Sequence, residues 1–225
     1  MSAIIISREY LLSTEFLLNF LKTITEEQKE IIAKRSYYHT NHFFKVVLSV
    51  DYPKPGWKIR VHYWLKQPSF EQNPHSHGWD FTSRIIQGSL LDVQYEEETT
   101  TKKVANIYKK FDMMLTTKDP RYYCKATEEK TTALSVNKIR AYSPGDIYHS
   151  HHKIVHTSHP VDDKVITVVL EEPQASESNL IYVKKDTLFE ETNSHRQVTM
   201  KELNWILKSM KSALKSSQQT RISKL

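Results

Sequence analysis

From Ile59 to Glu171, apolar residues recur at every second position in one short segment after another, with no long helical run between them. A period of two sends alternate side chains to opposite faces, so each such run is a strand with one face on a core. "KIRVHYWL" sets Ile59, Val61, Tyr63 and Leu65 against Arg60, His62, Trp64 and Lys66. "SRIIQGSLLDVQYEEE" reads as two strands around Gly88, and "KVANIYKKF", "TTALSVNKIRAY" and "KVITVVLEE" as further strands bounded by turn or charged residues. Strands that follow one another without helices predict antiparallel pairing, and hence a mainly β sandwich or barrel. "EEPQASESN" is expected to be a polar loop, and no internal repeat is visible.

The two ends change to a helical period. In "TEFLLNFLKTITEEQKEIIAKR", Phe16, Leu17, Phe20, Leu21 and Ile24 share one face, and Thr25 is placed to cap a second helix carrying Ile31 and Ile32. "TMKELNWILKSMKSAL" opens with the capping-box pair Thr199 and Glu202, followed by a stripe of Leu203, Ile206, Leu207, Met210 and Leu214. A chain of 225 residues divided in this way reads as an N-terminal helical segment (1–45), a barrel (46–190) and a C-terminal helix with a basic tail (191–225).

The net charge of +6 raises the question of nucleic acid. Much of the excess lies between Lys201 and Lys224, where a solvated helix face and a loose tail account for it, so no nucleic-acid partner is expected. No segment reaches the roughly 18–20 consecutive apolar residues of a membrane span. The N-terminus lacks the basic region and cleavage site of a signal peptide. Cys124, the single cysteine, excludes an internal disulfide and suits a reducing compartment. These features set the expectation of a cytoplasmic protein with no membrane partner.

The 11 histidines are unevenly placed. His75 and His77 form one cluster; His149, His151, His152, His156 and His159 form another; His39, His42, His62 and His195 are scattered. Residues two apart on a strand share a face at roughly 6.6 Å between Cα atoms, so two imidazoles there can reach one metal ion. A third ligand must come from another strand, and the second cluster supplies candidates. It follows the turn signal Pro144-Gly145-Asp146 and precedes the apolar run "VITVVL".

Two motifs here resemble those of the cupin superfamily. In "HSHGWDFTSRIIQG" the H-x-H pair is followed, eleven residues after His77, by Gly88; in the second, Gly145-Asp146 leads to His156. The resemblance covers about half the chain, roughly Ile59 to Glu171, and implies a jelly-roll β-barrel with a metal bound inside. Where cupins usually carry a liganding Glu, this chain has Phe81, with Asp80 beside it. Without a carboxylate the implied ligand set is His75, His77 and His156, with His149, His151 and His152 as alternatives for the third. That set looks like the thiol dioxygenases, such as cysteine dioxygenase. It implies Fe(II) with open positions for a substrate thiolate and O2, and a small-molecule substrate. Imidazole also binds zinc, nickel or manganese, so ligand type does not choose the metal. An isomerase, lyase or hydrolase on the same barrel, or a binding module without catalysis, remain the alternatives.

Other residues beside the motifs suggest roles. Arg60 and Arg84, on strands, would clamp a substrate carboxylate if they pointed inward, or would be solvent-facing charges if not. Trp79 and Phe81 share the parity of His75 and His77 and would wall a substrate pocket or simply pack. Tyr63 and Tyr148 are candidate proton donors. The amphipathic N-terminal helix offers a surface for a homodimer, by analogy with other cupins.

Overall fold

A computed structural model describes residues 7–39, 41–65, 71–98, 107–114, 126–187 and 195–222. The N-terminal segment folds into α1 (Arg8–Leu11), α2 (Thr14–Thr23) and α3 (Glu26–Arg35). Ser13 caps α2 by accepting from the Phe16 amide at 3.1 Å. Thr25 caps α3 by accepting from the Gln28 amide at 3.2 Å, while Gln28 Oε1 accepts from the Thr25 amide at 2.9 Å. Orphan amides at each helix start are thereby satisfied locally. The strands follow: β1 (Tyr37–His39), β2 (Phe43–Val50), β3 (Lys58–Leu65), β4 (Trp79–Gln87), β5 (Leu90–Glu97) and β6 (Ile107–Met114). After them come β7 (Ala126–Tyr142), β8 (Ile147–Ser150), β9 (Val155–Pro160), β10 (Lys164–Gln174), β11 (Ser178–Lys184), β12 (Arg196–Gln197) and the closing helix α4 (Met200–Ile222).

Among the described residues the strands pair antiparallel in two sheets, in the order β12-β1-β2-β3-β10-β4-β8 and β11-β6-β7-β5-β9. This is a mainly β layout of two antiparallel sheets with helices at both ends. One feature differs from expectation: among the described residues the two sheets do not join into a continuous barrel. The larger sheet also takes in β1, which begins at Tyr37, and β12, paired to it through Tyr37↔Gln197.

Turn chemistry fixes the strand order locally. Gly88, between β4 and β5, has φ +69°, and a Cβ there would sit 2.4 Å from the Lys164 carbonyl oxygen, so only glycine fits. At the Pro144-Gly145-Asp146 turn the Asp146 carboxylate accepts from the Ser143 amide at 2.7 Å, launching β8 alongside β4. The "EEPQASESN" segment departs from the expected loop. Its first half extends β10, with Gln174 still paired to Trp79, and only 175–177 separate it from β11. Its charges are not loop polarity: Glu171 pairs with Lys58 and Arg60, and Glu172 with Arg8. In "KVANIYKKF" the first four residues lie outside the described residues, and Ile107–Phe111 belongs to β6.

The larger sheet is covered on both faces. Val46, Val61, Tyr63, Ile86, Val168 and Leu170 pack against Leu17, Leu203, Ile206 and Met210 of the helices. The opposite face, carrying Lys45, Arg60, His62, Trp64, Phe81 and Glu171, lines an internal cavity. Alternation along β2, β3, β4 and β10 thus separates a helix-packed face from a cavity face rather than core from solvent. Among the described residues, no helix is long and apolar enough to cross a membrane.

Candidate metal centre

The two histidine clusters meet at the rim of β9. His156 lies on β9, opposite Gln94 of β5. His75 crosses it in an antiparallel bridge: its amide donates to the His156 carbonyl at 3.0 Å, and the His156 amide donates back at 2.9 Å. The same extended segment is pinned on both sides. The Tyr182 amide donates to the Pro74 carbonyl at 2.8 Å, the Ser76 amide to Leu180 at 2.9 Å, and the His77 amide to His152 at 3.1 Å. Backbone pairing therefore brings together residues about eighty positions apart.

The side chains converge. One ring nitrogen from each of His75, His77 and His156 lies within 4.8 Å of the others. Nε2 of His77 and Nε2 of His156 are 2.9 Å apart. Two of the rings are oriented from behind: His75 Nδ1–H donates to the Asn73 carbonyl at 2.9 Å, and His156 Nδ1–H to the Asp92 carboxylate at 2.6 Å. Each such anchor fixes the tautomer and leaves Nε2 with a free lone pair, as metal-ligating histidines require. The Gln94 side-chain amide donates to the other Asp92 oxygen at 3.0 Å, so the carboxylate itself is held.

Electrostatics keep the His75 and His77 rings neutral. Burial, followed by the neighbouring charge of His156, pushes His75 down to about 3. Burial, followed by His75 and His156, pushes His77 well below its usual value. Neutral imidazole is the ligand form. The donor set fits a divalent ion: three imidazole nitrogens, a carboxylate behind one of them and a cavity in front. A hydrogen bond between His77 and His156 alone would account for their 2.9 Å contact, but not for the third ring aimed at the same point.

Of the five histidines in the second cluster, His156 is the one whose ring joins His75 and His77. His151 and His152 gather instead around Asp80, whose Oδ1 accepts from the His152 amide at 2.7 Å and from its Nδ1–H at 2.8 Å. Asp80 sits on the outer face of β4 and supplies no carboxylate to the triad. His149 hydrogen-bonds Thr82 at 3.3 Å, and His159 contacts the Thr157 hydroxyl at 2.8 Å. Phe81, in place of the usual carboxylate, packs its ring 5.1 Å from that of His77 and 6.1 Å from that of His156.

A cavity of about 190 Å³ opens in front of the triad. Four of the other sequence-selected residues line it: Arg60, Trp79, Phe81 and Tyr148. Burial pushes the Tyr148 phenol upward, so it stays protonated, and its ring stacks on Tyr142 at 4.1 Å. Two selected residues, Tyr63 and Arg84, face the other way. Tyr63 packs among the helices with its ring 4.6 Å from Trp205, because it shares the parity of Val61, not that of Arg60. Arg84, one residue out of phase with Phe81, donates to the Leu12 carbonyl at 2.6 Å and to the Thr14 hydroxyl at 2.9 Å, tying β4 to the N-terminal helices.

Several cavity residues escaped the sequence reading. His39, His62 and His195, taken there as scattered, all line the cavity, and the His39 ring stacks 4.9 Å from His195 and 4.7 Å from Phe43. Asp92, inside the strand run "SLLDVQYEEE", carries no local signal of its role. The available signal was Trp64 on the supposedly polar side of "KIRVHYWL", since a tryptophan rarely faces water.

The cavity is also cationic. Glu171 is buried at its wall, with Arg60 bound to it through both carboxylate oxygens (2.9 Å for one contact) and Lys58 at 3.0 Å. Trp79 lies under all three cations, with Arg60, Lys45 and Lys58 at 5.1, 5.6 and 5.8 Å from its ring centre. Lys45 is 7% exposed and has no carboxylate within ion-pair distance among the described residues. Burial, and then the Arg60 charge, push its ammonium well below the usual value. Desolvating an ammonium costs several kcal/mol. A desolvated cation–π contact returns about 2 kcal/mol. The Tyr37 and Trp79 rings therefore leave Lys45 underpaid for its burial.

No family model matches this chain, and no curated protein matches it. Among solved structures, the hydroxypropylphosphonic acid epoxidase from S. wedmorenis is similar, with a TM-score of 0.35 and 9% identity over 60% of this chain; the chain spans 53% of that protein's length. An RmlC-like cupin protein from Ralstonia eutropha JMP134 gives 0.33 and 13% identity, covering 78% of each chain. Ectoine synthase from P. lautus gives 0.35 and 9% identity over 75% of this chain and 98% of that one.

Proposed function

We propose that this protein is a mononuclear metal-dependent oxygenase, with Fe(II) held by His75, His77 and His156, acting on a small polar substrate such as a thiol. The observation that carries the reading is the convergence of three ring nitrogens at the wall of a cavity. Bound there, Fe(II) would supply redox chemistry and open coordination positions for O2 and substrate. The chain's own residues do the rest. Asp92 and the Asn73 carbonyl hold two of the rings in register. Phe81 and Trp79 wall the site beside the triad. Tyr148, kept protonated by burial, offers its hydroxyl proton to a developing negative charge on the substrate.

The test is anaerobic purification, metal analysis, and oxygen uptake with a panel of small thiols. One iron per chain, lost in His77→Ala, with thiol-dependent oxygen consumption, is the expected result. Stoichiometric zinc without oxygen uptake for any substrate would end the oxygenase reading. A second reading has one observation in its favour: three histidines without a carboxylate are also a catalytic zinc set. That non-redox enzyme would keep its activity under strict exclusion of oxygen.

A further inference from the structure

We propose that Lys45 anchors the carboxylate of a small organic monoanion bound in the cavity beside the histidine triad. The inference rests on reading that cavity as a substrate site, and it names the substrate's class and the group that selects it.

Three cations cluster at this end of the cavity, and the carboxylate of Glu171 serves two of them. Arg60 engages both of its oxygens, and Lys58, partly open to solvent, holds one. The role foreseen for Arg60, clamping a substrate carboxylate, is thus already filled from within the fold. Lys45 is different. It is more than nine-tenths buried, lines the cavity, lies against the faces of Tyr37 and Trp79, and feels the Glu171 charge without forming an ion pair to it among the described residues. It lines the same cavity as His75, His77 and His156.

The number of unserved buried charges is one, which matches a monoanion. A lysine is a point charge rather than a planar fork, so it selects charge and not bidentate shape. The remaining walls include Phe43, Trp64, Phe81, Met113 and Ile181, which suit a short apolar or sulfur-bearing body. The volume lies below the roughly 300 Å³ at which pockets for drug-sized ligands begin, so the body is short. Buried nitrogens of His62 and Trp64 have no hydrogen-bond partner among the described residues, so further polar groups on the ligand would find partners.

Butyrate, butyramide and inorganic phosphate, titrated calorimetrically into the full chain, test the anchor. Butyrate should bind and its uncharged amide should not. Lys45→Met and Lys45→Gln should each weaken butyrate by about tenfold or more, the effect of losing one charge-assisted contact. Both variants shed a buried charge and are expected to fold. Should neither do so, the wild-type comparison still decides, because equal binding of butyrate and butyramide overturns the proposal. Phosphate binding without butyrate binding overturns it as well. Repeating the titration on chelator-treated protein separates this claim from the metal. Lys45-dependent binding without metal upholds the anchor whatever the metal analysis returns. Unaltered butyrate binding in metal-loaded Lys45→Met overturns the anchor and leaves the metal reading intact.

Discussion

Asp92 decides how His156 presents itself to the cavity. Its carboxylate accepts a hydrogen bond from Nδ1–H, so Nε2 is the nitrogen left facing His77. Asp92→Asn replaces a charged acceptor with an amide and frees the ring to turn. Metal affinity is expected to fall about 10–100-fold while the fold is kept, measured by chelator competition. Glu171 is a structural counterpart. Glu171→Gln takes the counter-charge from Arg60 and Lys58 in a buried setting, and a loss of about 3–5 kcal/mol is expected in denaturant unfolding. At this scale the sequence was partly legible. An H-x-H announces itself because spacing alone puts both rings on one side. Lys45 and Asp92 do not, since a charged residue on a strand looks the same whether it faces water or a polar cavity.

At the scale of elements, strand parity sorts residues that the primary structure lists side by side. Arg84 belongs to the helix-facing side of β4, where it holds the Leu12 carbonyl and the Thr14 hydroxyl. Arg84→Ala should therefore cost about 1–3 kcal/mol of stability, read by denaturant titration, with metal content unchanged. Loss of metal at full stability would return Arg84 to the site. The closing helix makes the same point. Its capping box is complete, with the Thr199 hydroxyl accepting from the Glu202 amide at 3.2 Å and a Glu202 oxygen accepting from the Thr199 amide at 2.9 Å. Its stripe of Leu203, Ile206 and Met210 is fully buried against the larger sheet. Ile206→Ala is expected to destabilise by about 2–5 kcal/mol. The apolar faces of α2 and α4 are used to roof the sheet.

The whole molecule has an acid liability built into it. Burial, before any neighbouring charge, holds His39, His62, His75, His77 and His195 below their usual values, His195 to about 4 and His75 to about 3. These are bases with depressed folded values, so below about pH 6.5 the unfolded chain binds more protons than the folded one. Their contribution is therefore fully present above that pH and is lost as pH falls toward the folded values. Each site removes about 1.4 kcal/mol per pH unit in that window. Several together consume a typical stability of about 5–15 kcal/mol within two units. Metal-free protein, followed by circular dichroism, should unfold cooperatively between about pH 4 and 6, and a native spectrum persisting at pH 3 would contradict burial of these rings. Bound metal should move the transition lower, because it competes with protons for the same nitrogens.

What the sequence by itself determined was local: the period of two through the middle, the helix caps at Thr25 and Thr199, the turns at Gly88 and Gly145, and the paired histidines. Each depends on neighbours a few residues away. The tertiary structure decided what covers each face of the larger sheet, and so which half of every alternation reaches the cavity. Helices close one side and the second sheet closes the other. A period of two establishes that the faces differ without saying which lies inward, and for that reason Tyr63 and Arg84 went to the helices while Lys45, His62 and Glu171 came to the cavity. The meeting of His75 with His156 is likewise a matter of which strands lie adjacent, settled only when backbone pairing carries one cluster across the edge of the other.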